Sequence, residues 1–226
     1  MIEVIQAFVD HYGLLLARGI WDTIVMTSVS TFFAYVLGIP IGVALVLTSP
    51  VGLHPHRIFH EILGWVVNMG RSIPFIILLV ILLPLSRLLV GTAMGVAGAI
   101  VPLTIAAAPF VGRLVEQSLS EVKGGLVEAA QSFGASTVQI VLKVFLKEGL
   151  PSLVRGASIT FITLFGYVAI AGALTGAGGL GDIAIRYGFQ RFQGDVMVVA
   201  VVICIIIVQI AQSIGDFLAR RIDKRN

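Results

Sequence analysis

Apolar residues run through this chain in long blocks, separated by short charged clusters rather than alternating with polar positions. No charged residue falls between Asp22 and Arg57, between Arg87 and Arg113, between Arg155 and Asp182, or between Asp195 and Asp216. A helix crossing the roughly 30 Å hydrocarbon core of a bilayer needs about 20 apolar residues. Each block reaches that length. Pro50, Gly52 and Pro55 close the first, which predicts a span over about 21–47. A block at about 62–83, interrupted by Arg71, predicts the second span, and the others are expected at about 92–112, 156–176 and 196–216. Glu3, Asp10 and His11 make segment 1–17 read as a surface helix rather than a sixth span. The whole chain, 1–226, thus reads as one all-α, polytopic membrane domain with five transmembrane helices.

Composition agrees: 58% of residues are hydrophobic and 12% charged, with a mean hydropathy of +1.03. Soluble domains carry about twice that charge, and a water-facing surface needs it. A formal charge of +3 does not indicate nucleic acid, since no basic patch interleaves with aromatic residues. Cys204, the one cysteine, cannot form an intrachain disulfide and reads as a small buried hydrophobe. The first twenty residues lack a basic leader region, so no cleaved signal peptide is expected.

Five spans put the termini on opposite sides, and basic residues choose the orientation. With the N-terminus outside, the inner loops and tail hold ten: Arg57, Arg113, Lys123, Lys143, Lys147, Arg155, Arg220, Arg221, Lys224 and Arg225. The outer segments hold four, Arg18, Arg87, Arg186 and Arg191, while Arg71 lies inside a span. The excess marks the inner side, so loop 114–154 is expected to be cytoplasmic.

That loop is a polar island between membrane blocks. Gly124 and Gly125 let the chain turn into a short helix, Leu126 to Phe133, and Gly134 suits a left-handed cap at its end. Ser136 with Gln139 three residues on has the capping-box pattern, opening a second helix from Thr137 to Glu148 that Gly149 and Pro151 are expected to end. An ordinary amphipathic helix on a lipid surface would carry Lys and Arg on its polar face. Segment 126–133 offers Glu128, Gln131, Ser132 and two alanines instead, which favours docking to a protein.

The run Glu128-Ala129-Ala130-x-x-x-Gly134, with Leu150-Pro151 sixteen residues on, resembles the cytoplasmic signature loop of ABC-importer permeases. More of the chain resembles the methionine-uptake permeases within that family: Arg71-Ser72-Ile73-Pro74-Phe75, Ala99-Ile100-Val101-Pro102-Leu103-Thr104, Ala107-Ala108-Pro109-Phe110, Gly166-Tyr167 and Gly176-Ala177-Gly178-Gly179-Leu180-Gly181. The likeness runs from about Trp21 to the C-terminus. It implies a type I importer permease fold in a bacterial inner membrane, working as a homodimer with two copies of an ATPase subunit. An extracytoplasmic binding protein would deliver methionine, or another small amino acid or related solute, and alternating access would carry it inward. By this resemblance Gly125, Glu128, Ala129, Ala130, Gly134, Leu150 and Pro151 couple the chain to the ATPase. Glu148 stands where the wider superfamily often has an aliphatic residue.

Other chemistry is thinly represented. Gly176-x-Gly178-x-x-Gly181 matches the dinucleotide fingerprint literally, but follows a membrane block rather than a β-strand, so no cofactor is expected and the segment reads as a flexible outer loop. The chain contains no Gly-Lys pair and hence no phosphate-binding loop for ATP, which a separate subunit must supply. His11, His54, His56 and His60 lie outside the spans or at their edges, and no metal motif or catalytic constellation joins them; the chain is not expected to be an enzyme. A secondary transporter would carry intramembrane carboxylates, whereas all twelve here fall in loops, tails or span edges. Arg71 is either a polar contact lining the path or a snorkelling cation near Glu61. Tyr167 and Ile170 share a face of the fourth span that either lines the path or packs against a helix. Pro74, Pro84, Pro102 and Pro109 are placed to bend helices.

Overall fold

A computed structural model describes residues 2–223; Lys224 and Arg225, counted above in the inner tail, lie outside the described residues. Ten helices follow one another, with no strand among the described residues: α1 (Ile2–Thr48), α2 (Arg57–Ser72), α3 (Phe75–Val90), α4 (Gly95–Ser120), α5 (Gly124–Ser132), α6 (Thr137–Ile140), α7 (Leu146–Glu148), α8 (Leu150–Thr175), α9 (Leu180–Ile183) and α10 (Gly194–Ile222). One π-helical stretch, Val141–Phe145, joins α6 to α7, and another, Ala184–Phe189, follows α9. Residues 10–48 of α1, and α4, α8 and α10, are long and apolar enough to cross a membrane. The bent pair α2–α3 makes a fifth candidate if it counts as one span.

Three expectations need correcting. Segment 1–17 is not a separate helix, because nothing before Thr48 stops the 47-residue α1. At 1.5 Å per residue α1 is about 70 Å long, so it outruns a 30 Å hydrocarbon core and carries Asp10 and His11 on its extension. The block at 62–83 is not one straight helix: it breaks at Ile73-Pro74. Pro74 has no N–H to continue the ladder, and its ring drives Ile73 to an extended ψ of 124°. Of the two residues expected to end the helical run begun at Thr137, Gly149 does cap it after Glu148, but Pro151 plays no part in stopping it. Gly149 keeps helical angles (φ −77°, ψ −10°), and Pro151 falls in the first turn of α8, where a missing N–H costs little.

The chain forms two compact units, each assembled from separate stretches. The first comprises 1–31, 74–105 and 161–211. Its core gathers Leu16, Phe165, Leu180, Ile183, Val196 and Ala200. Thr23 ties α1 to the glycine-rich segment, its hydroxyl donating to the Gly19 carbonyl at 2.8 Å and accepting from the Leu180 N–H at 2.9 Å. Gly178 and Gly179 adopt φ of 74° and 91°, a region that costs other residues strain. The segment is therefore packed rather than flexible, with Ala177, Gly179 and Leu180 buried.

The second unit comprises 32–73, 106–160 and the chain from 212 onward. Here Gly38-x-x-x-Gly42 on α1 receives Val111 and Val115 of α4: a Cβ on Gly42 would lie 2.7 Å from the Gly112 carbonyl oxygen. Small residues at this spacing let two backbones approach where lipid offers no hydrophobic drive. Tyr35 Oη donates to the Leu153 carbonyl at 3.2 Å, joining α1 to α8. The helix exteriors are apolar, as a lipid or protein solvent requires: Ile205, Ile206, Ile210 and Phe217 of α10 are each more than half exposed.

Candidate functional site

Helix α5 has no buried residue, although its two neighbours in sequence are anchored. Val122 before it is 8% exposed, and Ile140 and Phe145 after it are 2% and 7% exposed. The helix ends as its sequence predicts. Gly134 takes φ 75°, the Ala135 N–H donates to the Ala130 carbonyl at 3.0 Å, and the Gly134 N–H donates to the Gln131 carbonyl at 2.9 Å. These paired bonds form a Schellman cap, so Ala130 contributes a carbonyl to the turn. Ser136 then opens α6 with a complete capping box: Gln139 Oε1 accepts from the Ser136 N–H at 2.9 Å, and Ser136 Oγ accepts from the Gln139 N–H at 3.4 Å. With both caps satisfied, the two-helix elbow has little freedom at its corner.

Gly125, Glu128 and Ala129 are exposed on the elbow, and Phe133 at its corner is 90% exposed. The Glu128 carboxylate has no hydrogen bond or ion pair among the described residues; it lines a cavity of about 520 Å³ with Val127, Gln131, Leu53 and Phe145. Gly124 and Gly125 have ordinary φ, and a Cβ on either would meet nothing within 4 Å. Nothing inside the chain requires glycine there. Loop 49–56 borders the same cavity and touches α6 through His54 Nε2 and Thr137 Oγ1, 2.7 Å apart. Leu150 and Pro151 open α8 rather than close the elbow.

In the first unit, Tyr167 is half-buried and its ring stacks on Phe75, centroids 4.6 Å apart and planes 3° from parallel. Ile170, one turn on, is 37% exposed. Phe75 escaped the sequence reading, although its position directly after Pro74 and at the start of α3 was a usable signal. In the second unit Arg71 is exposed in the last turn of α2. The partner expected for it is taken, since Glu61 bonds Arg57 at 2.8 Å. Arg113 was also missed as more than an inner charge: it bridges α4 to α2 through the Gly64 carbonyl at 3.1 Å and Asn68 Oδ1 at 3.2 Å. No group of three metal-ligating side chains occurs among the described residues.

Comparison with known proteins agrees with this geometry. Residues 38–226 match the family described as binding-protein-dependent transport system inner membrane component. The chain is 51% identical over 211 residues to a Vibrio cholerae protein named "Probable D-methionine transport system permease protein", covering 93% of each chain. It is 53% identical over 158 residues to the D-methionine transport system permease protein of Yersinia pestis, covering 70% of this chain and 73% of that one. Among solved structures, a chain of the MetNI methionine ABC transporter in an inward-facing conformation superposes with a TM-score of 0.91 at 46% identity, covering 94% of this chain and 98% of that one. An amino acid ABC transporter crystallised with histidines shares the fold, with a TM-score of 0.75 at 16% identity. An all-helical chain with apolar exteriors, a capped elbow bare on its outer face and this likeness along most of its length belongs to the binding-protein-dependent transport system inner membrane components, the permease subunits of ABC importers.

Proposed function

We propose that this chain is the permease subunit of a methionine importer in a bacterial inner membrane, with its N-terminus outside and its C-terminus cytoplasmic. Two copies pair and dock two ATPase subunits, and an extracytoplasmic binding protein delivers the amino acid. The observation that carries this reading is α5, a helix with no buried residue held between two satisfied caps. A rigid, uncovered helix transmits force to whatever seats on it. Bare backbone at Gly124 and Gly125 lets that partner approach closely, and Glu128 offers it an unpaired carboxylate.

In this mechanism ATP draws the two ATPases together, each carries its elbow with it, and the spans swing from inward-open to outward-open. Glu128, Ala129 and Gly125 make the contact, while Ala130 and Gly134 hold the corner. Leu150 and Pro151 pass the displacement into α8, which bears Tyr167 and Ile170. Those two residues face the path, with the Phe75 ring backing Tyr167. Methionine is the substrate because relatives about half identical in sequence are named for it, and because an apolar and hydroxyl-bearing face suits brief passage of a thioether side chain.

The test is uptake by the purified complex in vesicles. Methionine should accumulate only with binding protein present and with ATP on the elbow side. Transport of a different amino acid alone would overturn the substrate, and transport without the ATPase would overturn the role.

A further inference from the structure

Two arginines border one cavity in the second unit, and their circumstances differ. The cavity, about 500 Å³, opens between the end of α2 and the C-terminal part of α4, with Arg71, Phe110, Arg113, Glu116, Gln117 and Ser120 on its walls. That volume is in the range of small-molecule sites, about 300–1,000 Å³. Arg113 is fully committed: besides Gly64 and Asn68 it bonds Glu116 Oε2 at 2.6 Å. Arg71 has no hydrogen bond or ion pair among the described residues. Gly70 explains its place on the wall, because a Cβ there would come within 2.8 Å of Pro109 Cγ and push α2 off α4.

Two guanidiniums and one carboxylate leave one positive charge over. Arg71 is also the only charged residue in segment 62–86, so a cation is retained in an otherwise apolar stretch where it needs an anion or water. Glu116 Oε1 has no partner among the described residues, so the same cavity presents an unused acceptor. A free cation and a half-used carboxylate in one small cleft complement a zwitterion.

We infer that this cleft is a transient site for the head group of an α-amino acid, with Arg71 receiving the carboxylate and Glu116 Oε1 accepting from the ammonium group. The inference rests on the amino-acid permease reading above. Arg113 is a positioning residue: its bonds to Glu116, Gly64 and Asn68 fix the carboxylate and hold α2 beside it. Because the cleft is open and Arg71 exposed, the charges stay partly hydrated and the site releases what it binds, as a step on a path must.

The experiment uses the complex with its ATPase. In nanodiscs without the binding protein, saturation-transfer NMR should detect methionine, should not detect methioninol, which lacks the carboxylate, and should lose methionine in Arg71→Gln. In vesicles with binding protein, Arg71→Gln should lower maximal methionine uptake about tenfold while Arg71→Lys keeps at least about half. Equal signals for methionine and methioninol in the wild type would overturn the site, whether or not the variants assemble. An anionic lipid offers the same chemistry as a carboxylate. Retention of phosphatidylglycerol that disappears in Arg71→Gln, with the methionine signal unchanged, would assign Arg71 to lipid and overturn the inference. Wild-type uptake of methionine with an equally active Arg71→Gln would refute this site alone; a wild-type complex that moves no amino acid would refute the permease reading with it.

Discussion

Replacing Gly134 with valine tests the elbow most directly. At φ 75° the residue lies in the left-handed region, and a Cβ added there meets nothing within 4 Å. Steric conflict with the rest of the chain is therefore absent, and the cost is that of the backbone conformation. An L-residue loses roughly 1–2 kcal/mol in this region, with β-branched side chains at the upper end. The alternative is to relax the turn and lose the bonds from Ala135 to Ala130 and from Gly134 to Gln131, each worth about 0.5–1.5 kcal/mol. Either way Gly134→Val costs about 2 kcal/mol, roughly a 30-fold shift against the capped elbow. Gly134→Asn, which tolerates the left-handed region, should be milder than Gly134→Ala, and Gly134→Val the worst. The assay is ATPase retained on the purified permease, alongside ATP-dependent uptake in vesicles. Wild-type uptake and ATPase content in Gly134→Val would refute the reasoning. An asparagine variant as impaired as valine would refute it too, showing that bulk at the corner matters rather than backbone geometry.

Glu128→Lys should insert and fold normally, since the side chain is exposed, yet should lose ATPase on purification; full retention would remove Glu128 from the docking surface. Thr23→Val should lower thermal stability in detergent by about 1–3 kcal/mol, because it leaves the buried Leu180 N–H unpaired, and an unchanged melting curve would contradict that. Cysteine at Gln190, an exposed position, should react with an impermeant maleimide from outside intact cells while cysteine at Val138 should not; the reverse pattern would invert the orientation. Enlarging Ile170 to tryptophan should block uptake and leave the binding protein's affinity for methionine unchanged, and normal uptake would take this face off the path.

How much of this was legible depended on the range of the forces involved. Apart from the block broken at Ile73-Pro74, the predicted spans lie almost wholly within single helices, because a lipid solvent demands internal hydrogen bonding from each segment without reference to its neighbours. The elbow was equally legible. Its caps join residues three to five apart, so Gly134, Ser136 and Gln139 specify the corner by themselves. Local reasoning failed where stop signals were ambiguous. Pro74 broke a helix and Pro151 joined one, a difference set by whether the missing N–H falls in the interior or in the first turn. Contacts between distant segments had no sequence signature at all. Thr23 and Leu180 are 157 residues apart, and only packing of α1 on the glycine-rich segment brings them to 2.9 Å. The Phe75–Tyr167 stack and the bonds of Arg113 to Gly64 and Asn68 are of the same kind. Sequence alone determined the membrane class, the elbow and its corner, since those follow from solvent and from neighbours along the chain. Tertiary structure alone decided the contacts across helices, such as Thr23 on Leu180 and Arg113 on Gly64 and Asn68, because a distant partner's reach is fixed in space and not by spacing in sequence.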